Sequence, residues 1–303
     1  MDRRNLLGTA LASASLIALS VPLHAATPGK LKVVATITIL GDMVRQVGGP
    51  DVAVTTLVGP DGDAHAYEPT PADAKALSAA DLVVVNGLGL EGWMDRLVQA
   101  SGYRGAIVVA SQGVNPRYID EGGRTVTDPH AWQDLKNGHR YVVNIESALA
   151  GVDPAHAADY QAAGKSYLTA IDAMDSHIRS EIAEVPPERR KVVSSHDGFG
   201  YFGQTYGVEF VAPQGISEDA EPSAADLKKL IDQIRSEHIK VLFFENALSP
   251  RLVEQIGRET GAVVGGTLYA DALSPPDGPA PTYLDMFRHN LPLLKAAMLG
   301  KSA

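Results

Sequence analysis

The 303-residue chain contains nine histidines, thirty-six acidic residues and no cysteine. Any transition metal it holds must therefore be taken by imidazole and carboxylate rather than by thiolate. Four such side chains stand in loops that follow strand-like segments. His65 lies in GPDGDAHAYEPT, His130 in TDPHAW, His196 directly after VVSS at the head of HDGFGYF, and Asp271 in GGTLYADALS. One loop histidine alone is usually a surface or hydrogen-bonding group, but three imidazoles and a carboxylate, two from each half of the chain, form a donor set that a divalent ion accepts. The remaining histidines fit blander positions: His24 belongs to an N-terminal leader, and His139, His156, His177, His238 and His289 fit solvated or helix-face sites. A metal hydrolase is the main rival. Four protein ligands, however, close the position that catalytic zinc keeps open for water, and no HExxH or G-x-S-x-G motif supplies a base or nucleophile. The expected role is binding, not catalysis.

The formal net charge of −10 offers no basic field to attract phosphates, which argues against nucleic-acid binding. The start of the chain reads as an export signal over residues 1–25, with MDRR as its positive region and LLGTALASASLIALSVPL as its apolar one. The apolar part is diluted by Gly, Thr and Ser and falls short of the roughly 20 apolar residues of a membrane span, and LHAA places cleavage after Ala25. Arg3 and Arg4 admit the twin-arginine route as well. No cysteine follows to carry lipid, so the expected product is free in a periplasm.

The four side chains need elements to position them, and hydrophobic periodicity supplies an alternation. LKVVATI at 31–37, DVAVTTLV at 51–58, DLVVVNG at 81–87 and AIVVA at 106–110 read as strands. Helices are expected at 39–49, over PADAKALSAA and around EGWMDRLVQAS, and 111–128 reads as a polar loop. From Pro154 to Glu184 the spacing changes: Tyr160, Gly164, Tyr167, Ile171, Met174, Ile178 and Ile182 mark one long helix that Pro186 and Pro187 stop. The alternation then resumes in the same order. KVVSS at 191–195 answers KVVAT at 32–36, and the Glu-Pro segment starting at 221 answers the one starting at 68, each running through a helix into a strand that ends at Asn246 or Asn86. A further strand is expected at 262–264. The fold class is thus α/β, with two similar lobes of mainly parallel sheet covered by helices. One long helix joins them, and the ligand cleft lies between the lobes near the carboxyl ends of the strands. The organisation is signal 1–25, first lobe 26–150, connecting helix 151–185 and second lobe 186–303.

HAYEPTPAD, DPHAW, HDGFGYF and the LYADALS region, in this order, resemble the four ligand motifs of the zinc- or manganese-binding substrate-binding proteins of metal ABC importers, the cluster A-I class with a rigid linking helix. The similarity covers nearly the whole mature chain. It implies metal-ligand roles for His65, His130, His196 and Asp271, no catalytic residues, and a cognate permease and ATPase. A monomer is expected, and a periplasmic metallochaperone is an open partner. Three imidazoles and one carboxylate favour one Zn²⁺ per chain, with Mn²⁺ as the alternative, since manganese-binding relatives are expected to carry a carboxylate where this chain has His196. One feature departs from the zinc-specific pattern: SQGVNPRYIDEGGRTVTDP contains no histidine, so a histidine-based collecting loop is absent.

Supporting roles follow from position. Asp128 is expected to accept a hydrogen bond from a ligand histidine. Glu68 is expected at a helix start or on a ligand, and Asp197 is a weaker orienting candidate. Phe199, Tyr201, Phe202 and Tyr206 are expected to pack beneath the site.

Overall fold

The computed structural model describes residues 29–121, 123–213, 215, 224–247 and 250–301. The export signal, Gly122 and the Glu-Pro pair at 221–222 lie outside them. The first lobe runs β1 (Leu31–Ala35), α1 (Thr38–Gly48), β2 (Val52–Thr56), α2 (Pro71–Ser78), β3 (Leu82–Val85), α3 (Met94–Ser101), β4 (Ala106–Val109), a hairpin of β5 (Tyr118–Glu121) and β6 (Arg124–Thr127), and α4 (Leu135–Val152). After α5 (Ala157–Ala183) come β7 (Lys191–Val193), α6 (Gly200–Tyr206), β8 (Glu209–Val211), α7 (Ala224–Ser236), β9 (Val241–Glu245), α8 (Arg251–Thr260), β10 (Val263–Leu268) and α9 (Tyr283–Met298).

Each lobe is a four-stranded parallel sheet flanked by helices. The orders are β2-β1-β3-β4 and β10-β9-β7-β8. Numbered within its own lobe, the second sheet has the order of the first, so the repeat read in the sequence is a repeat of topology. Strands covered on both faces explain the unbroken apolar run of β3, all four of whose residues are buried. In this order the chain leaves the first strand toward one side and returns on the other. The crevice at that switch lies at the carboxyl ends of the first and third strands.

Local chemistry fixes the helix starts. Oδ2 of Asp73 accepts from the backbone N of Thr70 at 2.6 Å and from its Oγ1 at 2.7 Å, and Pro71 opens α2. The carboxylate of Asp134 accepts from Lys136 N ahead of α4, and Thr282 Oγ1 accepts from Asp285 N ahead of α9. Glu68, expected near the positive end of a helix or orienting a ligand, is exposed and lies two residues before the cap of α2.

The structure differs from the sequence reading in three places. The segment 111–128, read as a loop, contains the antiparallel β5–β6 hairpin, registered from Tyr118↔Thr127 to Glu121↔Arg124. Its short strands alternate without an apolar face, which hides them from a periodicity test. α4 had no expected counterpart, and the 150/151 division falls inside it. The long helix begins at Ala157 after a 3-10 turn over Pro154–His156.

α5 spans about 40 Å at 1.5 Å per residue and buries Tyr160, Gly164, Tyr167, Ile171, Met174, Ile178 and Ile182, the stripe read from the sequence. That stripe packs along α4, α1 and α9, and its residues share one apolar core with the strands of both lobes. The link is therefore a packed element of the core. Ile178→Ala should lower the unfolding free energy of the metal-free protein by about 2–5 kcal/mol, the usual cost of truncating a fully buried aliphatic side chain. Urea denaturation would check it, and a change under 1 kcal/mol would contradict the packing described here.

Candidate metal centre

The four candidate ligands come from four loops, and each loop is fixed before its side chain reaches the cleft. His65 lies beyond β2, where Oδ1 of Asp63 accepts from the backbone N of His65 at 2.7 Å and of Ala66 at 3.2 Å. The indole of Trp93 donates to the carbonyl of Ala64, clamping the turn from the other side. His130 follows β6. Its backbone N and its Nδ1 both reach Oδ1 of Asp128, at 3.0 and 2.7 Å, and Nδ2 of Asn86 donates to the carbonyl of Pro129. His196 follows β7 by three residues, and Oε1 of Glu245 at the end of β9 accepts from the backbone N of Ser195 and of His196. Oε2 of Glu245 lies 2.6 Å from Nδ1 of His196, an ion-pair contact without the alignment of a hydrogen bond. Gly198 leaves room for this ring: a Cβ there would stand 2.5 Å from its Cε1.

Asp271 follows β10 in the chain, and its loop is held by the second lobe, through Asn290 on Tyr269 and Asn246 on Ala272, and by the first lobe as well. The carbonyl of Ala270 accepts from Trp132 Nε1 at 2.8 Å and from Gln133 Nε2 at 2.9 Å. Leu273 donates its N–H to Thr38 Oγ1, and its carbonyl accepts from the backbone N of Asp61.

These supports bring the side chains together between the lobes. Nε2 of His130 is 3.1 Å from Nε2 of His65 and 3.2 Å from Nε2 of His196. Oδ2 of Asp271 is 3.3 Å from Nε2 of His65 and of His196, and Oδ1 is 3.5 Å from Nε2 of His130. The donor atoms of all four residues lie within 4.8 Å of one another. His130, His196 and Asp271 are buried, and His65 retains about a tenth of its exposure. The separations of 3.1–3.5 Å are close to the edges of about 3.3–3.4 Å expected between ligand atoms about 2.0–2.1 Å from one ion, and the widest pair in the set is within 4.8 Å. Oδ1 of Asp271 is buried with no hydrogen-bond partner, as befits an oxygen whose partner is a cation.

Electrostatics agree. Burial opposes charge on His130, but the carboxylates of Asp271 and Asp128 outweigh it and raise the pKa to about 9. Burial likewise opposes charge on His196, and Glu245 and Asp271 raise it well above the ordinary imidazole value. Burial would lift the pKa of Asp271, yet the two imidazoliums hold it well below the ordinary carboxylate range. A proton held on His130 or His196 is one that an incoming cation must displace.

The sequence identified all four clustered residues and also Asp128, which holds His130. It missed Glu245, whose signal was a lone acid closing the apolar strand VLFFE, and Arg117, which carried none. Asp197 faces Arg117 rather than a ligand ring, with its Oδ1 3.6 Å from Nη1 of Arg117. Phe199, Tyr201, Phe202 and Tyr206 are buried as expected, with Phe202 also stacked on Phe287 at 6.5 Å.

Residues 33–297 match the family described as the zinc-uptake complex component A, periplasmic. The chain belongs to this family. It is 35% identical over 262 residues to the iron-binding protein YfeA of Yersinia pestis, covering 86% of this chain and 84% of that protein. It is 32% identical over 275 residues to the manganese-binding lipoprotein MntA of Bacillus subtilis, covering 89% and 90%. The structure of a Mn-bound periplasmic metal binding protein from candidatus liberibacter asiaticus superposes with a TM-score of 0.79 at 34% identity, covering 89% of this chain and all of that one. Membership makes the chain a periplasmic, divalent-metal-binding receptor of an ABC transporter, with a cognate permease and ATPase and a transport role rather than a catalytic one. Among the described residues no helix is long and apolar enough to cross a membrane.

Raised histidine pKa values carry a sign. Their contribution to stability is complete below the ordinary value of 6.5 and is lost as pH rises through the folded value, about 9 for His130. Asp271 works the other way, losing its contribution only as pH falls through its depressed pKa, so it is constant in this window. The metal-free protein should therefore become less stable from about pH 6.5 to pH 9, while apparent metal affinity rises as the nitrogens are freed. Urea midpoints and metal titrations across that range would test both; a flat stability profile would contradict the cluster electrostatics.

Proposed function

We propose that the protein captures one Mn²⁺ per chain with His65, His130, His196 and Asp271 and delivers it to the permease of an importer. In this reading residues 1–25 are removed on export. The mature monomer then works as a first lobe, which keeps the whole of α4, and a second, 186–303, joined by α5. The observation that carries the ligand assignment is the meeting of three Nε2 atoms and one carboxylate in a buried cleft, with Nδ1 of His130 and of His196 each facing a carboxylate. A carboxylate on the far nitrogen fixes the ring and its tautomer and makes the metal-facing nitrogen more basic.

Manganese is favoured by two considerations. Both oxygens of Asp271 face the imidazoles, so the carboxylate is able to give two hard donors and raise the coordination number above four. The manganese-binding relatives named above support the same ion. Zn²⁺ is the second reading, on the specific ground that His196 stands where manganese-binding relatives are expected to carry a carboxylate, and three imidazoles with one carboxylate suit a four-coordinate ion. The absence of histidine between residues 111 and 128 favours direct capture of the free ion, or delivery by a chaperone, over a histidine-rich collecting loop.

Competition titration of metal-free mature protein, with bound metal read by elemental analysis, tests this. One Mn²⁺ per chain is expected, with protons released on binding and binding abolished in His196→Ala. Tight Zn²⁺ that excess Mn²⁺ neither prevents nor displaces would replace the cargo assignment, and failure to bind either ion would end the ligand assignment.

A further inference from the structure

Arg117 sits where the hairpin meets the site. Its Nη1 lies 2.6 Å from Oδ2 of Asp128, a wholly buried carboxylate whose other oxygen holds Nδ1 of His130. The same Nη1 lies 3.6 Å from Oδ1 of Asp197, next in sequence to His196. The main chain of Arg117 is fixed too. Its N–H donates to the hydroxyl of Tyr201 at 2.8 Å, that hydroxyl donates to the carbonyl of Asp128 at 3.2 Å, and Asp128 N–H donates to the carbonyl of Arg117 at 2.9 Å. Arg117 and Asp128 thereby close the base of the β5–β6 hairpin, and Tyr201, on α6 of the second lobe, joins them. The guanidinium rests against Gly200, where a Cβ would overlap it.

We propose that Arg117 is a positioning residue for metal capture: it sets the Asp128 carboxylate that orients His130 and ties that setting to the second lobe through Asp197 and Tyr201. This rests on the metal-receptor reading above. The physical argument is directional. A buried carboxylate with one oxygen on His130 needs a partner for the other, or it rotates to share its lone pairs differently and the imidazole turns with it. A planar guanidinium supplies that partner with fixed geometry, which a lysine ammonium lacks. Because the same nitrogen also faces Asp197, the carboxylate is seated properly only when the lobes are in register.

The test is a cycle on metal binding: Arg117→Met, Asp128→Asn and the double variant, each metal-free full mature chain, titrated with Mn²⁺ and with Co²⁺ as a coloured probe. Arg117→Met should weaken binding about 10–100-fold, speed dissociation and alter the visible bands of the Co²⁺ form, which report ligand orientation. Arg117→Lys should fall between it and the wild type. In the Asp128→Asn background, Arg117→Met should add little, because its route to the ion is already cut. Equal losses in both backgrounds, or unchanged affinity and spectrum in the single variant, overturn the proposal. Gly200→Ala, which displaces the guanidinium without removing its charge, should reproduce Arg117→Met and decides the matter if the latter does not fold. Absence of metal binding by the wild type would instead strike the reading on which this rests.

Discussion

The structure turns on a carboxylate kept out of water among imidazoles. Asp271 is almost wholly buried and its nearest charged neighbours are His65, His130 and His196. A buried anion is costly unless a cation stands against it. In the absence of metal a proton on His130 or His196, whose pKa values are raised, meets that need, and a dication meets it with fewer unpaired atoms. The position between the lobes follows: each half contributes two of the four side chains, and neither half alone has the donors to offset the charge.

The two sheets share one strand order, and in each the crevice at the ends of the first and third strands is tied by an acid, buried in the second lobe and half-buried in the first. Glu245 does this in the second lobe by accepting from Ser195 and His196. Glu91 does it in the first, where Oε1 accepts from Thr36 Oγ1 and Asn86 N and Oε2 accepts from Gly87 N. At the matching place after the first strand, one lobe carries the apolar Ile37 and the other His196. Duplicated topology thus gives two similar scaffolds, and the chemistry comes from side chains that differ between them. The long α5 helix shares its core with both, which sets the distance across which the ligands must meet.

Much of this was legible in the sequence because it is written in periodicity and in residue types rare at strand ends. The α5 stripe appears residue for residue from Tyr160 to Ile182, and the four clustered side chains were identified by strand–loop position and motif. What stayed hidden depends on partners distant in the chain. Arg117 meets Asp128 and Asp197 only after the hairpin folds back, and a lone arginine in a polar segment has no periodic signature. The hairpin itself has no apolar face. Glu245 was visible only as an acid at the end of an apolar strand, and its contact with His196 bridges 49 residues.

The anchoring of the Asp271 loop has a consequence for how the cleft can open. Residues 269–273 belong to the second lobe by sequence, yet Trp132, Gln133, Thr38 and Asp61 of the first lobe are hydrogen-bonded to them. Parting the lobes there breaks these bonds as well as any bonds to an ion. The cost of opening therefore does not vanish when the cargo leaves, and the ligands stay near one another between one ion and the next.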